Sequence, residues 1–189
     1  MPADTQPPAI PRLVTTAGFK SLVDPELMLQ TSRGNVLLQL NTGAAPATVA
    51  NMLAYASDGF YEDTLFHRVI AGFMVQGGGL TAGLVPQTPT YDPIPLESNN
   101  GLLNLRGSIA MARTDVPDSA TAQFFINVVD NANLNAPMPD GHGYAVFGKV
   151  VSGLDVVDKI RAVATGMRSG MQNVPSTPVS ITNATVLKP

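Results

Sequence analysis

Short runs rich in hydrophobic residues recur along the chain and predict a protein built mainly of β-strands. Each run is bounded by Gly, Pro, Asn, Asp or Ser, the residues that favour turns. The predicted strands are residues 36–40, 65–70, 73–76, 108–113, 123–129, 144–151 and 179–187. Long irregular connections are predicted at residues 80–101, 130–143 and 165–178, which are rich in Pro, Gly, Asn or Ser.

Two other segments place their apolar residues at helical spacing. The first helix is predicted to begin at Pro46, because the first turn of a helix tolerates proline, and to end at Gly59. The second is predicted over residues 153–163, with Ser152 as its N-cap. The residues that it is expected to bury are Val156, Val157 and Ile160.

The order of these elements predicts one β-rich domain. The helices do not alternate regularly with the strands, which disfavours a doubly wound sheet, and a closed barrel accommodates many short strands most economically. A length of 189 residues suits a single core. We predict that residues 1–28 form a Pro-rich N-terminal extension and that residues 29–189 form the domain.

Composition and charge exclude several classes of function. A net charge of −3 and the lack of any Lys/Arg cluster argue against general nucleic-acid binding. No apolar run approaches the roughly 18 residues that a membrane-spanning helix needs. The sequence contains no cysteine, which excludes disulfides, thiol chemistry and zinc–thiolate sites.

The strands at residues 65–70 and 73–76 bring several functional groups together. Alternation places Arg68 on the same face as Phe66 and on the face opposite His67, while Met74 and Gln76 share a face of the next strand. A guanidinium, a primary amide and apolar side chains in one region can bind a carbonyl group beside an apolar ring. No nucleophile is evident among them.

The sequence gives weaker support to three other chemistries. Residues 77–82 match the dinucleotide pattern G-x-G-x-x-A, with Glu97 at a suitable separation, but the prolines from Pro86 onward leave little room for the required helix. No G-x-S-x-G pattern supports a Ser-His-Asp hydrolase, and we interpret His67 as structural and His142 as solvated. Two distant histidines are a weaker basis still for a metal site, so neither metal nor cofactor is expected.

The remaining interpretation is non-covalent catalysis of rotation about X-Pro peptide bonds. That rotation has a barrier of about 18–20 kcal/mol set by amide resonance. Arg68 offers a donor that lowers the resonance, and Gln76 or Gln123 can hold substrate carbonyls. The side chains available for an apolar proline pocket are Phe73, Met74, Phe125 and Leu134. Composition alone favours the alternative, because an Arg on a strand is usually a surface charge and Phe or Met on a strand is usually part of the core.

Three motifs resemble those of the cyclophilin family of peptidyl-prolyl isomerases. Residues 66–70 with 72–78 resemble its first signature, residues 110–113 with 119–126 its second, and residues 144–150 its third. Together they place the resemblance over residues 29–187, in the order and spacing of the family.

The resemblance implies a closed eight-stranded antiparallel β-barrel capped by two α-helices. It implies that Arg68 is catalytic and that no cofactor is needed. Substrate-binding residues implied in the same way are Phe73, Met74, Phe125 and Leu134 for the proline ring, Gln76, Ala112, Arg113 and Gln123 for the peptide backbone, and Tyr144 beside them.

Two departures from the best-known eukaryotic pattern resemble bacterial cyclophilins. Asn133 stands where a Trp is common, and Tyr144 stands where a His is common. The missing indole removes a donor and a large apolar surface, so we expect weak cyclosporin binding with isomerase activity retained.

The expected partners are proline-containing segments of unfolded or flexible proteins, and we expect a monomer. The Pro-rich extension favours a periplasmic protein, with the cytoplasm as the alternative. The competing hypothesis is a binding module or chaperone of the same fold that holds proline-containing segments without isomerising them; the presence of Arg68 favours the enzyme.

Overall fold

The computed structural model describes residues 24–188, so residues 1–23 of the predicted extension lie outside the described residues. Within that range the chain forms thirteen β-strands, two α-helices and one short 3-10 turn. The strands are β1 (Glu26–Thr31), β2 (Gly34–Leu40), β3 (Thr64–Leu65), β4 (Arg68–Ile70), β5 (Met74–Gly77), β6 (Leu80–Thr81), β7 (Val85–Pro86), β8 (Ser108–Met111), β9 (Phe124–Asn127), β10 (Val146–Ser152), β11 (Thr165–Arg168), β12 (Met171–Pro175) and β13 (Ser180–Lys188). The helices are α1 (Pro46–Ser57) and α2 (Leu154–Arg161), and the 3-10 turn is Ala132–Leu134.

Eleven of the described strands form one antiparallel sheet in the order β4-β5-β9-β8-β10-β2-β1-β13-β3-β6-β7. The predicted strands correspond to β2, β5, β8, β9, β10 and β13, and both helices lie where they were predicted. A mainly β fold with two helices is therefore confirmed. β1 includes residues 26–28, which the sequence pattern assigned to the extension.

The sheet curls strongly but stays open, so the predicted closed eight-stranded barrel is wrong. Its two end strands, β4 and β7, are not neighbours in the sheet. β4 has three residues and β7 has two, so each offers few backbone groups from which a closing ladder could be built. The result is a half-barrel.

Residues 65–70, predicted as one strand, form two strands with different partners. β3 pairs with β13, and the backbone N–H of Phe66 donates to the carbonyl of Val179 at 2.8 Å. From Arg68 onward the chain pairs with β5 instead. Phe66 is consequently buried in the core while Arg68 is exposed, so the prediction that they share a face is wrong.

Residues 165–178, predicted as an irregular loop, contain the hairpin of β11 and β12. Arg168 pairs with Met171, which leaves Ser169 and Gly170 as a two-residue turn. Both turn residues have positive φ, 51° and 77°, as the hairpin turns that match strand twist require. The loop prediction is therefore wrong over this part.

The predicted Ser152 cap of α2 is also wrong, because Ser152 still belongs to β10 and Gly153 is the N-cap residue. Gly153 has φ 90°, and a Cβ on it would lie 2.2 Å from the Asn35 carbonyl oxygen, so this position requires glycine. Helix α1 has no side-chain cap of its own, and the carboxylate of Glu97 accepts hydrogen bonds at its N-terminus.

The main hydrophobic core joins the sheet to the buried faces of both helices. Val156, Val157 and Ile160 are buried in α2, as predicted. A second, smaller cluster consists of Met74, Ala110, Phe125, Leu134 and Val146. This second cluster forms the floor of the cleft described next. Among the helices of residues 24–188, none combines the length and hydrophobicity that crossing a membrane requires.

Candidate active site

A surface cleft of about 310 Å³ lies over β4, β5, β8 and β9, beside the 3-10 turn. Its lining residues are Arg68, Phe73, Met74, Gln76, Ala112, Arg113, Phe125, Leu134 and Tyr144. All of them belong to the set that the sequence predicted. The remaining member of that set, Gln123, lies in an adjoining cavity.

Strand register explains how residues distant in sequence meet in this cleft. Arg68 lies opposite Gln76, and Gln76 lies opposite Phe125. Phe125 in turn lies opposite Ala110 on β8. Directly paired residues share a face of the sheet, so one row across four strands carries the cation, the amide and an apolar ring. Val69 and Val75 pair on the opposite face and belong to the main core.

The side-chain amide of Gln76 contacts the Arg68 guanidinium and is itself held by the amide of Gln123. Nη1 of Arg68 donates to Oε1 of Gln76 at 3.2 Å, and Nε2 of Gln76 donates to Oε1 of Gln123 at 3.1 Å. Gly79 makes room for this arrangement, because a Cβ there would lie 2.4 Å from Cγ of Gln123. Within the described residues Arg68 forms no salt bridge, so no carboxylate neutralises its charge.

Apolar side chains surround the space beside the guanidinium. Met74, Phe125 and Leu134 are nearly buried, with exposed fractions of 2%, 4% and 6%, and Phe73 packs against the same cluster. The Phe125 ring meets the Tyr144 ring edge to face, with centroids 5.7 Å apart. The arrangement fixes a shallow apolar pocket next to a charged hydrogen-bond donor.

The side chain of Arg113 organises the loop beside the cleft. It is only 1% exposed; it donates to the carbonyl of Gly143 at 2.6 Å and pairs with Asp140 at 2.8 Å. This bond to the guanidinium lowers the pKa of Asp140 to about 2. The guanidinium carbon also lies 4.4 Å from the Tyr144 ring centroid, a cation–π contact.

Arg113 therefore turns its backbone toward solvent, because the residue as a whole is partly exposed while its side chain is not. The guanidinium is engaged with the loop.

The adjoining cavity, of about 220 Å³, extends the cleft along the far side of Gln76. It adds Thr114, Ser119 and Thr121, which sequence reasoning did not select. In the sequence, the feature that could have identified these three residues is their position in the polar loop that joins two strands of the site. Asn51 anchors this loop, since its Nδ2 donates to the carbonyl of Thr121 at 2.6 Å.

The residues weighed for other chemistries lie away from the cleft lining. His67 is buried, and burial lowers the pKa of its imidazole. His142 is exposed, and its carbonyl accepts a hydrogen bond from Ser98. No helix follows Gly77, since β5 leads directly into β6. Glu97 caps α1 instead of facing a nucleotide.

Solved structures of other proteins share this fold. One is the crystal structure of a cyclophilin type peptidyl-prolyl cis-trans isomerase of Cryptosporidium parvum in the presence of the dipeptide Ala-Pro, with a TM-score of 0.73, 24% identity, and coverage of 87% of this chain and 99% of that chain. Another is the cyclophilin AquaCyp293 from Hirschia baltica, with a TM-score of 0.70, 22% identity, and coverage of 87% and 74%. At these identities they show a cyclophilin-like fold.

Similarity in sequence extends beyond the fold to the family. The family model for cyclophilin type peptidyl-prolyl cis-trans isomerase/CLD matches residues 27–186. The chain is 55% identical over 159 residues to peptidyl-prolyl cis-trans isomerase B of Escherichia coli, covering 82% of this chain and 96% of that protein. It is 54% identical over 161 residues to isomerase cyp18 of Streptomyces antibioticus, with coverage of 84% and 96%. The chain belongs to the cyclophilin-type peptidyl-prolyl cis-trans isomerase family and is an isomerase of X-Pro peptide bonds.

Proposed function

We propose that Arg68 is the catalytic group of this isomerase. Rotation about an X-Pro bond requires the amide to lose its resonance, so that the proline nitrogen gains a lone pair in the twisted state. A guanidinium hydrogen bond to the twisted amide stabilises that state more than either planar ground state. Only such differential binding accelerates the reaction.

The apolar pocket supplies the second requirement, which is to hold the proline ring while the preceding carbonyl rotates. Phe73, Met74, Phe125 and Leu134 would grip the ring, and Gln76 with Gln123 would hold the backbone on either side. A rate gain of order 10⁶ needs about 8 kcal/mol of differential transition-state binding. A preorganised charged donor beside a rigid pocket is the type of site that supplies it.

One observation carries this mechanism: Arg68 has no carboxylate partner among the described residues and is aligned by Gln76 at the edge of the apolar pocket. An arginine that served only to keep the protein soluble would need neither the hydrogen bonds that link Arg68 to Gln76 and Gln76 to Gln123 nor the adjoining apolar pocket.

The test is exchange between the cis and trans forms of a short Ala-Pro peptide, followed by NMR exchange spectroscopy. We expect catalysed exchange to fall by about a hundredfold or more in Arg68→Ala, the scale for losing one preorganised donor. Arg33→Ala is the matched control, because Arg33 is an exposed arginine in the turn between β1 and β2. Peptide binding without accelerated exchange in the wild type would instead favour a module that only holds proline-containing segments.

The proposed substrates are X-Pro bonds in unfolded or flexible protein segments, so that the enzyme assists folding. The support is the shape of the site, a surface cleft continuous with a second cavity, which admits an extended chain more readily than a folded one. Refolding of a protein limited by proline isomerisation would accelerate on addition of this enzyme, and unchanged slow-phase kinetics would contradict the proposal.

We also propose that cyclosporin binds weakly. Asn133, which stands where a Trp is common, is exposed in the 3-10 turn next to Leu134, and it offers neither an indole donor nor a large apolar surface. Asn133→Trp is expected to tighten binding in a calorimetric titration without loss of isomerase activity. A nanomolar dissociation constant for the unmodified protein would contradict this.

The proposed compartment is the periplasm of a bacterium, in a subgroup of periplasmic cyclophilins. The Pro-rich composition of the N-terminal extension supports the periplasm. The similarity to bacterial relatives supports a bacterial protein but does not distinguish the periplasm from the cytoplasm. Fractionation of cells expressing the protein tests this, and recovery with cytoplasmic markers would contradict it.

The proposed oligomeric state is a monomer. The exposed large apolar side chains of the described residues are spread over several loops and strands, and only Leu103 and Leu105 share a loop, which argues against one extended docking surface. They are Val85, Leu103, Leu105, Val116, Met138, Val151, Met167 and Leu187. Sedimentation equilibrium at micromolar concentration is expected to give the mass of one chain.

A further inference from the structure

Three buried asparagines form a continuous hydrogen-bonded chain beneath the cleft. Asn131, Asn127 and Asn104 have exposed fractions of 5%, 0% and 1%. Nδ2 of Asn131 donates to Oδ1 of Asn127 at 2.7 Å, and Nδ2 of Asn127 donates to Oδ1 of Asn104 at 3.0 Å. Asn127 also donates to the Ser108 hydroxyl at 2.9 Å. None of these side chains lines the cleft, and the mechanism above does not use them.

The two ends of this asparagine chain reach the backbones of two pocket residues. Nδ2 of Asn131 donates to the carbonyl of Phe73 at 2.8 Å. Nδ2 of Asn104 donates to the carbonyl of Leu134 at 3.2 Å and to Oδ1 of Asn135 at 3.1 Å. Phe73 precedes β5, and its carbonyl also accepts from the Val128 backbone N–H at 3.2 Å. Leu134 ends the 3-10 turn, and its carbonyl also accepts from the Tyr144 backbone N–H at 2.9 Å.

The hydrogen bonds among the three buried asparagines make them a rigid connection. Each buried amide is costly unless it is paired, and a satisfied network in a low-dielectric interior resists distortion. The apolar cluster by itself would tolerate repacking of its side chains, since hydrophobic contacts are not directional. The directional bonds to Phe73 and Leu134 act together with backbone hydrogen bonds from Val128 and Tyr144 in holding these two carbonyls in place.

We propose that Asn131, Asn127 and Asn104 are positioning residues that set the width of the proline pocket and thereby its selectivity for the five-membered ring. Phe73 and Leu134 line the same cleft from two separate loops, and the asparagine chain is the polar connection that spans them. This inference rests on the proposed function of the cleft. It predicts that substitutions of these asparagines change the selectivity for the five-membered ring, in addition to any effect on the stability of the protein.

The experiment compares two peptides that differ by one methylene, an Ala-Pro peptide and its pipecolyl analogue with a six-membered ring. A rigid apolar pocket discriminates such a pair by about tenfold or more. We expect Asn131→Ala to reduce the prolyl/pipecolyl ratio of kcat/KM by about threefold or more, because the Phe73 carbonyl loses its side-chain hydrogen bond and keeps only the one from the Val128 backbone. Dissociation constants of both peptides, measured by NMR titration, provide the same ratio independently of turnover.

Asn135→Ala is the second variant, to be used alongside the first or in its place if Asn131→Ala does not fold. Asn135 is partly exposed, and its Oδ1 accepts from the backbone N–H of Asn104 at 2.7 Å, so the substitution loosens the Leu134 side. Thr31→Val is the control: it deletes a hydroxyl hydrogen bond to Gly34 in the distant β1–β2 turn.

The outcomes separate the two proposals. A reduced ratio in the network variants with an unchanged ratio in Thr31→Val supports the asparagine chain as the positioning device. An unchanged ratio in folded network variants overturns it, even if both variants are less stable. A wild type that binds both peptides but isomerises neither contradicts the proposed catalysis alone, since the ratio of dissociation constants still tests the pocket.

Discussion

His67, the neighbour of the proposed catalytic arginine, makes stability depend on pH. Its imidazole is buried, burial lowers its pKa from the usual 6.5, and the nearby Arg68 charge acts in the same direction. In the unfolded chain the imidazole binds a proton near pH 6.5, whereas in the folded protein it does so only at lower pH. The unfolded state therefore binds more protons in that interval, and stability falls as the pH decreases through it.

Urea unfolding between about pH 7.5 and pH 5.5 measures this dependence, since the interval spans the unfolded pKa of histidine. We expect the wild type to lose stability on acidification and His67→Gln to lose clearly less. Comparing the two removes contributions from other groups that they share. Equal pH slopes would show that His67 does not titrate differently in the folded protein.

At the scale of single residues, the sequence motifs predicted which side chains meet in the cleft but not what each one contacts. Arg113 illustrates the limit, because its guanidinium is engaged by Asp140 and Gly143, residues that lie in a later loop. Such partners depend on loop geometry, and alternation along a strand carries no information about it. The roles of the site residues stay predictions until the variants are measured.

Among the elements, helix α1 depends on a cap from a distant loop. Oε1 of Glu97 accepts from the Thr48 backbone N–H and hydroxyl, both at 2.7 Å, and Oε2 accepts from the Ala47 N–H at 3.3 Å. These bonds satisfy helix N-terminal donors and place a negative charge at the positive end of the helix dipole. The same carboxylate ties the long connection before β8 to the domain.

We expect Glu97→Ala to lower the free energy of unfolding by about 1 kcal/mol, the usual effect of losing a cap. Glu97→Gln keeps an acceptor but loses the charge, so a smaller loss is expected. Glu62→Ala, which removes an exposed carboxylate elsewhere, serves as the control in chemical denaturation. Equal stability of Glu97→Ala and Glu62→Ala would contradict the capping role.

Elements with one buried face were predictable, and those defined by partner choice were not. Residues 36–40 form a short apolar run after a turn, and β2 includes them as predicted, with fully buried and partly buried positions alternating. By contrast, β7 contains Pro86, which suits only the edge strand that it forms. The β11–β12 hairpin has exposed residues throughout β11, so hydrophobic periodicity could not mark it. The change of strand partner after Phe66, from β13 to β5, likewise depends on tertiary contacts that the local sequence pattern does not show.

For the molecule as a whole, strand β1 decides where the domain begins. β1 lies between β2 and β13 and pairs with both along its length. Leu27 within it is fully buried. Upstream, the carbonyl of Pro25 accepts from the Leu40 N–H at 2.9 Å, and Oδ1 of Asp24 accepts from the Thr42 N–H at 3.3 Å. A boundary at residue 29 would therefore cut a central strand.

Two truncations test this boundary against the predicted one. A chain that begins at Asp24 keeps every described strand and the complete cleft, so we expect its unfolding midpoint and kcat/KM to match those of the full chain. A chain that begins at Leu29 loses half of β1 and the buried Leu27 side chain, and we expect it to be destabilised by several kcal/mol. Leu27→Ala in the full chain reports the same loss if the shorter chain does not fold. Reduced activity in the chain from Asp24 would show that residues 1–23 contribute to catalysis, and equal stability of the two truncations would place the boundary at residue 29 after all.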